Sequence, residues 1–298
     1  MSTVAPAARR AGPLHALLHT QRGHRQMRIT ATYILLVPLV FFVLFPFLWM
    51  LSTSLKAVDE VRTVTPSLVP NHPTLENFDG VLSGTLFLTY FRNSLVVATA
   101  TTVCGLVVSC LAGYAFSALR RAPGLGVLAF SMFVAQMVPP VLLVLPLYTL
   151  MLHLHLLNTY GSMIIAYTTF AIPFCTWMLK SYFDSLPREI DESALVDGCT
   201  RTGVLFRIVL PIALPGLIAT GLFCFVLAWN EFLFGYTFVS TDSVRTLTPG
   251  ISLFMGLWTT NWGYLMAASV MAIVPIAIAF AFLQRYMVQG LTGGAVKG

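Results

Sequence analysis

Charged side chains are scarce in this chain. Asp, Glu, Lys and Arg make up only 9% of its 298 residues, whereas hydrophobic residues make up 57%. Water-soluble domains carry about 25% charged residues, so the composition excludes an ordinary soluble protein. Several windows of about 20 apolar residues are long enough to cross a bilayer as helices. The sequence therefore predicts an all-α, polytopic membrane protein with six transmembrane helices, at 30–51, 95–119, 124–152, 162–183, 216–239 and 264–286.

Sequence patterns of soluble catalysis are also missing. There is no G-x-x-x-x-G-K-[ST] phosphate-binding loop, so any use of ATP would require another subunit. The six histidines are scattered without ligand spacing to cysteines or carboxylates, and we predict no catalytic constellation and no metal site. Four of the five cysteines fall inside predicted spans, where we expect them to pack as small apolar residues rather than form disulfides.

The basic residues fall on alternate sides of the predicted spans. Thirteen of the 17 Lys and Arg residues lie before the first span, in or beside the second and fourth connections, or at or after the end of the last span. The other four are Lys56, Arg62, Arg92 and Arg245. Because cytoplasmic loops carry an excess of Lys and Arg, this distribution predicts that both termini lie in the cytosol. The net charge of +6 therefore reflects membrane topology rather than binding to nucleic acid.

Prolines or polar residues occur inside two of the predicted spans. Pro139 and Pro140 break the third span, because proline lacks a backbone N–H and clashes with the preceding turn. Gln136 beside this break is a candidate for lining a solute pathway; the alternative is an ordinary kink with a locally bonded side chain. Glu231, beside Asn230 in the fifth span, is expected to face the bundle interior. It either touches the solute pathway or forms a polar contact between helices.

Acidic residues concentrate in the predicted connection between the fourth and fifth spans. Five of the chain's 11 acidic residues lie within 184–197. The pattern predicts a short helix with Asp184 or Ser185 as its N-terminal cap, Pro187 in its first turn and acids near the positive end of its dipole. We expect Gly198 to end this helix in a left-handed conformation.

A second short helix is predicted from Thr200 to Leu210. The first helix offers Ile190, Ala194 and Leu195 on one side and its acids on the other. Both helices are too short to cross a membrane and too apolar to remain bare in water. They are predicted to dock into a groove on a cytosolic protein or, alternatively, to lie along the lipid headgroups.

The same connection contains a motif of fixed spacing. Its residues are Glu192, Ser193, Ala194, Gly198, Ile208, Leu210 and Pro211. This spacing resembles the EAA motif, E-A-A-x3-G-x9-I-x-L-P, of permease subunits in binding-protein-dependent ABC importers. The spacing is complete, and only Ser193 departs from the pattern, where it replaces an alanine with another small residue.

Further segments resemble the carbohydrate branch of these permeases, in particular the maltose-importer type. They are "NSLVVA" at 93–98, "AWNEF" at 228–232 and the glycine-rich end "QGLTGGAVKG" at 289–298. The similarity extends over nearly all of residues 30–298. It implies a transmembrane permease subunit of the inner membrane rather than an enzyme.

The resemblance also implies an internal organisation. A basic cytosolic tail, residues 1–28, would precede a transmembrane permease domain at 29–298. That domain would contain a coupling-helix segment at 184–211 and a cytosolic C-terminal tail at 287–298. Coupling to an ATPase would rest on Glu192, Ser193, Ala194, Leu195, Asp197, Gly198, Ile208, Leu210 and Pro211.

The partners implied are a second homologous permease, two copies of an ATPase subunit that bind ATP and Mg²⁺, and an extracytoplasmic sugar-binding protein. No cofactor is expected in this chain itself, and membrane lipid would surround it. An alternative is an ion-coupled secondary transporter, which would need ionisable groups inside the spans. A membrane scaffold without transport activity is a second alternative, which would need no coupling helix of fixed spacing.

Overall fold

The computed structural model describes the backbone of residues 13–63, 65, 67–119, 122–256 and 259–295, with their side chains outside 13–24 and 285–295. Within these residues the fold is all-α, as predicted, and an isolated bridge pairs Met255 with Thr260. A 3-10 turn at Pro140–Leu143 precedes α6, and a π turn at Leu205–Val209 separates α9 from α10. The helices are α1 (Pro13–Ser54), α2 (Val58–Val61), α3 (Glu76–Gly84), α4 (Phe87–Ala118), α5 (Leu125–Gln136), α6 (Val144–His153), α7 (Tyr160–Ser185), α8 (Arg188–Val196), α9 (Arg201–Val204), α10 (Leu210–Ile212), α11 (Leu214–Trp229), α12 (Leu233–Phe238), α13 (Leu247–Ser252) and α14 (Trp262–Ala295).

Four of these helices are long and apolar enough to cross a bilayer unaided: Arg25–Ser54 of α1, α4, α7 and Trp262–Gln284 of α14. Two bent pairs reach the required length only when each is taken as one broken span. They are Leu125–Gln136 with Pro140–His153, bent by 93°, and Arg201–Ile212 with Leu214–Trp229, bent by 82°. The described chain thus contains four to six candidate membrane helices, and the break predicted at Pro139 and Pro140 is confirmed.

The predicted fifth span, 216–239, is wrong in its second half. α11 ends at Trp229 after 16 residues, or about 24 Å, which is less than the hydrocarbon thickness of a bilayer. The amide of Asn230 donates back to the carbonyl of Val226 at 2.9 Å. The carboxylate of Glu231 accepts the backbone N–H groups of Phe234 and Gly235 at 2.9 and 3.0 Å, and this starts α12 as a separate helix.

The chain divides into two units between Ser52 and Thr53. In the first, α1 runs without interruption past Pro38 and Pro46, and its apolar side chains are exposed in the isolated chain. The predicted basic tail, residues 1–28, lies outside the described residues as far as residue 12. From Pro13 its backbone is helical and continuous with the first span.

The second unit is built around α4, which packs against α7 and α11, while α14 packs against α11. One apolar core contains Phe87, Val97 and Tyr167, near the start of α4. A second apolar cluster surrounds the other end of α4, where α8 begins. We call it the α8 cluster; its buried members are Cys110, Tyr114, Leu179, Phe183, Ala194, Val204, Leu205, Val209 and Ala213.

Candidate functional site

The turn after α8 has the hydrogen bonds of a Schellman motif. The N–H of Cys199 donates to the carbonyl of Ala194 at 3.0 Å, and the N–H of Gly198 donates to the carbonyl of Leu195 at 3.1 Å. Gly198 has φ +85°, in the left-handed region that favours glycine. The prediction that Gly198 ends the helix in this conformation is confirmed.

The N-terminal cap predicted for α8 is wrong. Asp184 and Ser185 both belong to α7, and the chain breaks at Leu186, because the residue before a proline avoids helical geometry. The side chain of Asp184 instead contacts residues of α4 and α7. Its carboxylate accepts a hydrogen bond from Ser117 of α4 at 2.7 Å and pairs with Lys180 at 2.6 Å.

The second predicted helix, Thr200 to Leu210, is present in pieces. Thr200 caps α9, since its hydroxyl accepts the N–H of Gly203 at 3.1 Å. The π turn then lets the N–H of Leu210 reach back to the carbonyl of Leu205. α10 follows at once, and the chain bends before α11.

α8 has two faces with different surroundings. Ala194 is 5% exposed and packs in the α8 cluster, and Leu195 is half-buried against the same cluster. The outer face of α8, which we define as Glu192, Ser193, Val196 and Asp197, is exposed. Val196 is 87% exposed, although it is an apolar residue within a helix that buries Ala194. In this conformation the outer face, and not Ala194, is available to a partner.

The remaining motif residues lie beyond the turn. Ile208 and Leu210 are half-buried and pack against the α8 cluster, whereas Pro211 and Gly198 are exposed. The structure therefore brings the EAA-like residues together in one helical elbow, with an apolar inner side and an exposed outer side.

A cleft of about 470 Å³ lies beside α8. Charged and phenolic side chains line part of it: Tyr114, Asp184, Arg188, Asp191, Glu192 and Arg201. Across this cleft the hydroxyl of Tyr114 donates to the carboxylate of Asp191 at 3.3 Å. Sequence reasoning did not identify Tyr114, because nothing in the local pattern distinguishes it from an ordinary tyrosine near the end of a span.

The three pathway candidates lie at the two helix breaks. Gln136 is the last residue of α5 and is exposed. Asn230 and Glu231 lie between α11 and α12, and no hydrogen bond joins them to Gln136 among the described side chains. The helices that follow the two breaks do meet, because Tyr148 of α6 contacts Phe238 of α12 with ring centroids 6.4 Å apart. The residues that the structure describes contain no group of three or more His, Cys, Asp or Glu side chains that could hold a metal ion.

The sequence that forms the elbow and most of the membrane helices also matches a known family. Its model, "Binding-protein-dependent transport system inner membrane component", matches residues 105–293 of the chain. The chain belongs to this family. It is therefore a transport permease and a membrane protein, not an enzyme.

Several relatives of this permease are named as sugar transport proteins. It is 38% identical over 274 residues to the sulfoquinovosyl glycerol transport system permease SmoH of Agrobacterium fabrum, covering 92% of this chain and 94% of that protein. It is 39% identical over 262 residues to the trehalose/maltose transport system permease MalG of Thermococcus litoralis, covering 86% and 92%. The predicted membership in the carbohydrate branch of ABC importer permeases is confirmed.

A solved structure shares the fold of this permease. A chain of a bacterial ABC transporter involved in the import of the acidic polysaccharide alginate superimposes with a TM-score of 0.75 at 21% identity. The match covers 89% of this permease and 98% of that chain.

Proposed function

We propose that this permease forms half of the translocation pathway of an ATP-driven importer for a sugar or oligosaccharide. It would cross the membrane six times, with each bent pair as one broken span. Both termini and α8 would lie in the cytosol, since 13 of the 17 basic residues would then lie on that side.

The observation that carries the proposal is the exposed outer face of α8 at EAA-like spacing. Val196, exposed between Glu192, Ser193 and Asp197, suits a groove with an apolar floor and polar or basic walls. α8 would act as the coupling helix that docks into an ATPase subunit. Ala194, Leu195, Ile208 and Leu210 would transmit its movement inward through the α8 cluster. Gly198 and Pro211 would set the angles of the elbow.

The importer would contain four further subunits. A second homologous permease would complete the pathway, and two copies of one ATPase subunit would bind ATP and Mg²⁺. A sugar-binding protein outside the membrane would deliver the substrate, in keeping with the family's dependence on binding proteins. Residues 287–298 would reach the ATPase interface as a cytosolic tail, and lipid would cover the exposed side chains of α1.

The two helix breaks would face the solute. Gln136, Asn230 and Glu231 would line the pathway there, since irregular backbone at membrane depth needs a protein or aqueous environment. Glu231 would serve this surface indirectly as well, because both of its carboxylate oxygens hold the start of α12.

Co-purification from host membranes in mild detergent tests the docking role. We expect a second permease and an ATP-hydrolysing subunit to accompany the wild-type chain. Glu192→Lys should lose the ATPase subunit, because it reverses a charge on the exposed outer face without disturbing packing. Asp79→Lys, an equal charge change at an exposed position of α3, is the matched control and should retain the ATPase subunit. ATP hydrolysis by the isolated chain would contradict the proposal.

Uptake of a panel of labelled sugars into cells tests the transport role. Deletion of the gene should abolish uptake of at least one sugar, and Gly198→Trp and Glu192→Lys should fail to restore it while inserting normally. An ion-coupled secondary transporter would behave differently. It would import sugar as a lone chain and would stop when the ion gradient is collapsed.

A further inference from the structure

Tyr114 joins three helices at one point. It lies on α4 one turn before that helix ends at Ala118, and only 8% of it is exposed. Its ring makes an edge-to-face contact with Phe183 of α7, with centroids 6.0 Å apart and planes at 88°. Its hydroxyl reaches past this contact and donates to Asp191 of α8 at 3.3 Å. The ring is therefore fixed by packing, and the hydroxyl is aimed at α8.

Asp191 presents its carboxylate from the inner side of α8. It precedes Ala194 by three residues and Leu195 by four, so all three share one helical face. Asp191 is half-buried, whereas Glu192 next to it is exposed on the outer face. The bond to Tyr114 leaves the outer face free for a partner.

The hydrogen bond between Tyr114 and Asp191 restricts the orientation of α8 on α4, which apolar packing alone does not. Apolar contacts around Ala194 are not directional and permit small slides and rotations of α8 on the membrane helices. A hydrogen bond from a hydroxyl to a carboxylate depends on both distance and angle, so the 3.3 Å contact between Tyr114 and Asp191 limits these movements. α4 is a single helix of 32 residues, so a shift at Tyr114 would move this end of the helix as one element.

We propose that Tyr114 is a positioning residue that couples movement of α8 to α4 through its hydrogen bond with Asp191. This role rests on the proposed docking of α8 to an ATPase. Docking would use the outer face, and the Tyr114–Asp191 pair would pass the resulting displacement to the helix at the centre of the bundle.

A second hydrogen bond nearby supplies the matched control. Ser117 is three residues after Tyr114 on α4, and its hydroxyl donates to Asp184 at 2.7 Å. This bond ties α4 to α7 and does not involve α8. Ser117→Ala therefore removes a hydrogen bond from the same end of α4 without touching the proposed link.

The test uses the complete importer in liposomes, with the number of sugar molecules imported per ATP hydrolysed as the readout. Tyr114→Phe keeps the ring and its contact with Phe183 and removes only the hydroxyl. We expect ATPase subunits to assemble and hydrolyse ATP as in the wild type, while sugar imported per ATP falls roughly fivefold, as for the loss of one ordinary hydrogen bond. Asp191→Ala should give the same fall, and Asp191→Asn should retain most transport because it keeps an oxygen acceptor.

The double variant Tyr114→Phe/Asp191→Ala sharpens the result. If the two residues act through one bond, it should be no worse than either single variant. A normal ratio in Tyr114→Phe, an additive double variant or an equal loss in Ser117→Ala would each overturn the coupling role and leave docking intact. Sugar import by the wild-type chain without ATPase subunits would overturn docking and the coupling role together.

Discussion

The two ends of α4 are held in different ways. Asn93 and Tyr114 lie 21 residues apart on this helix, about 32 Å along its axis. Asn93 is fully buried and makes three hydrogen bonds. Its amide donates to the carbonyls of Ser243 and Arg245 at 3.0 and 2.8 Å, and its oxygen accepts from Tyr160 at 2.6 Å.

Other side chains reinforce this end through the backbone of the same loop. Asn158, with φ +59°, accepts the N–H groups of Ser240 and Thr241 at 2.7 and 3.2 Å. Ser94 accepts the N–H of Leu247 at 2.8 Å. The loop from Ser240 to Leu247 is thus fixed at several points along its backbone.

At the Tyr114 end, α8 rests on apolar packing around Ala194 and on the bond to a half-exposed carboxylate. Side-chain bonds to backbone carbonyls hold a segment in one place, whereas packing on small residues permits a helix to shift as a rigid body. The comparison contrasts a loop fixed by several hydrogen bonds at one end of α4 with an elbow held by apolar packing and one side-chain bond at the other. Variants at the two ends of α4 should therefore lose different amounts of stability.

The largest effect is expected for Asn93→Ala. It leaves the carbonyls of Ser243 and Arg245 and the hydroxyl of Tyr160 without their partner. Each unsatisfied group costs about 1 to 3 kcal/mol where it is shielded from water, and less at the exposed Ser243. We expect the free energy of unfolding to fall by about 3 kcal/mol and the yield of folded protein to drop sharply. Thermal melting in detergent would measure the change. Leu95→Ala, at an exposed position two residues along α4, is the control. Equal melting temperatures for the two variants would contradict a fixed loop.

A moderate effect is expected for Glu231→Ala, because α12 leads directly into the fixed loop. The variant leaves the N–H groups of Phe234 and Gly235 uncapped, at a cost of about 1 to 2 kcal/mol. Glu231→Gln keeps one carbonyl acceptor and should lose less. Both would be compared by melting with Glu76→Ala, which removes an exposed acid from the first turn of α3, where Thr74 rather than this acid accepts the N–H of Glu76. If Glu76→Ala lowered the melting temperature as much as Glu231→Ala does, the capping role of Glu231 would be contradicted.

Local chemistry explains which parts of this structure were predictable. Gly198 and the pair Pro139 and Pro140 act on their own backbone, so the end of α8 and the broken third span could be read from neighbouring residues. The all-α class follows from apolar length alone. The EAA-like spacing located the elbow because it is itself a local pattern.

Contacts between distant residues were not predictable in the same way. Tyr114 and Asp191 are 77 residues apart, and Asn93 and Ser243 are 150 apart. In neither pair does a local sequence pattern predict which distant residue is the hydrogen-bond partner. The early end of α11 was missed because apolar residues continue to Val239, and only the hydrogen bonds of Asn230 and Glu231 show where the helix stops.

The smallest effect is expected at the α8 elbow, for Gly198→Ala. A Cβ at Gly198 would meet no atom within 4 Å, so the substitution introduces no clash. The left-handed φ of +85° should nevertheless cost an L-alanine about 1 kcal/mol. Gly198→Asn should cost less, because asparagine tolerates this region better. Gly126→Ala, in α5, also meets no atom within 4 Å but has no positive φ, and it should be neutral or slightly stabilising. Melting temperatures that fall in the order Gly126→Ala, Gly198→Asn, Gly198→Ala would assign the loss of stability to the backbone conformation of residue 198. Equal values for all three would contradict a conformational role for Gly198 at the end of α8.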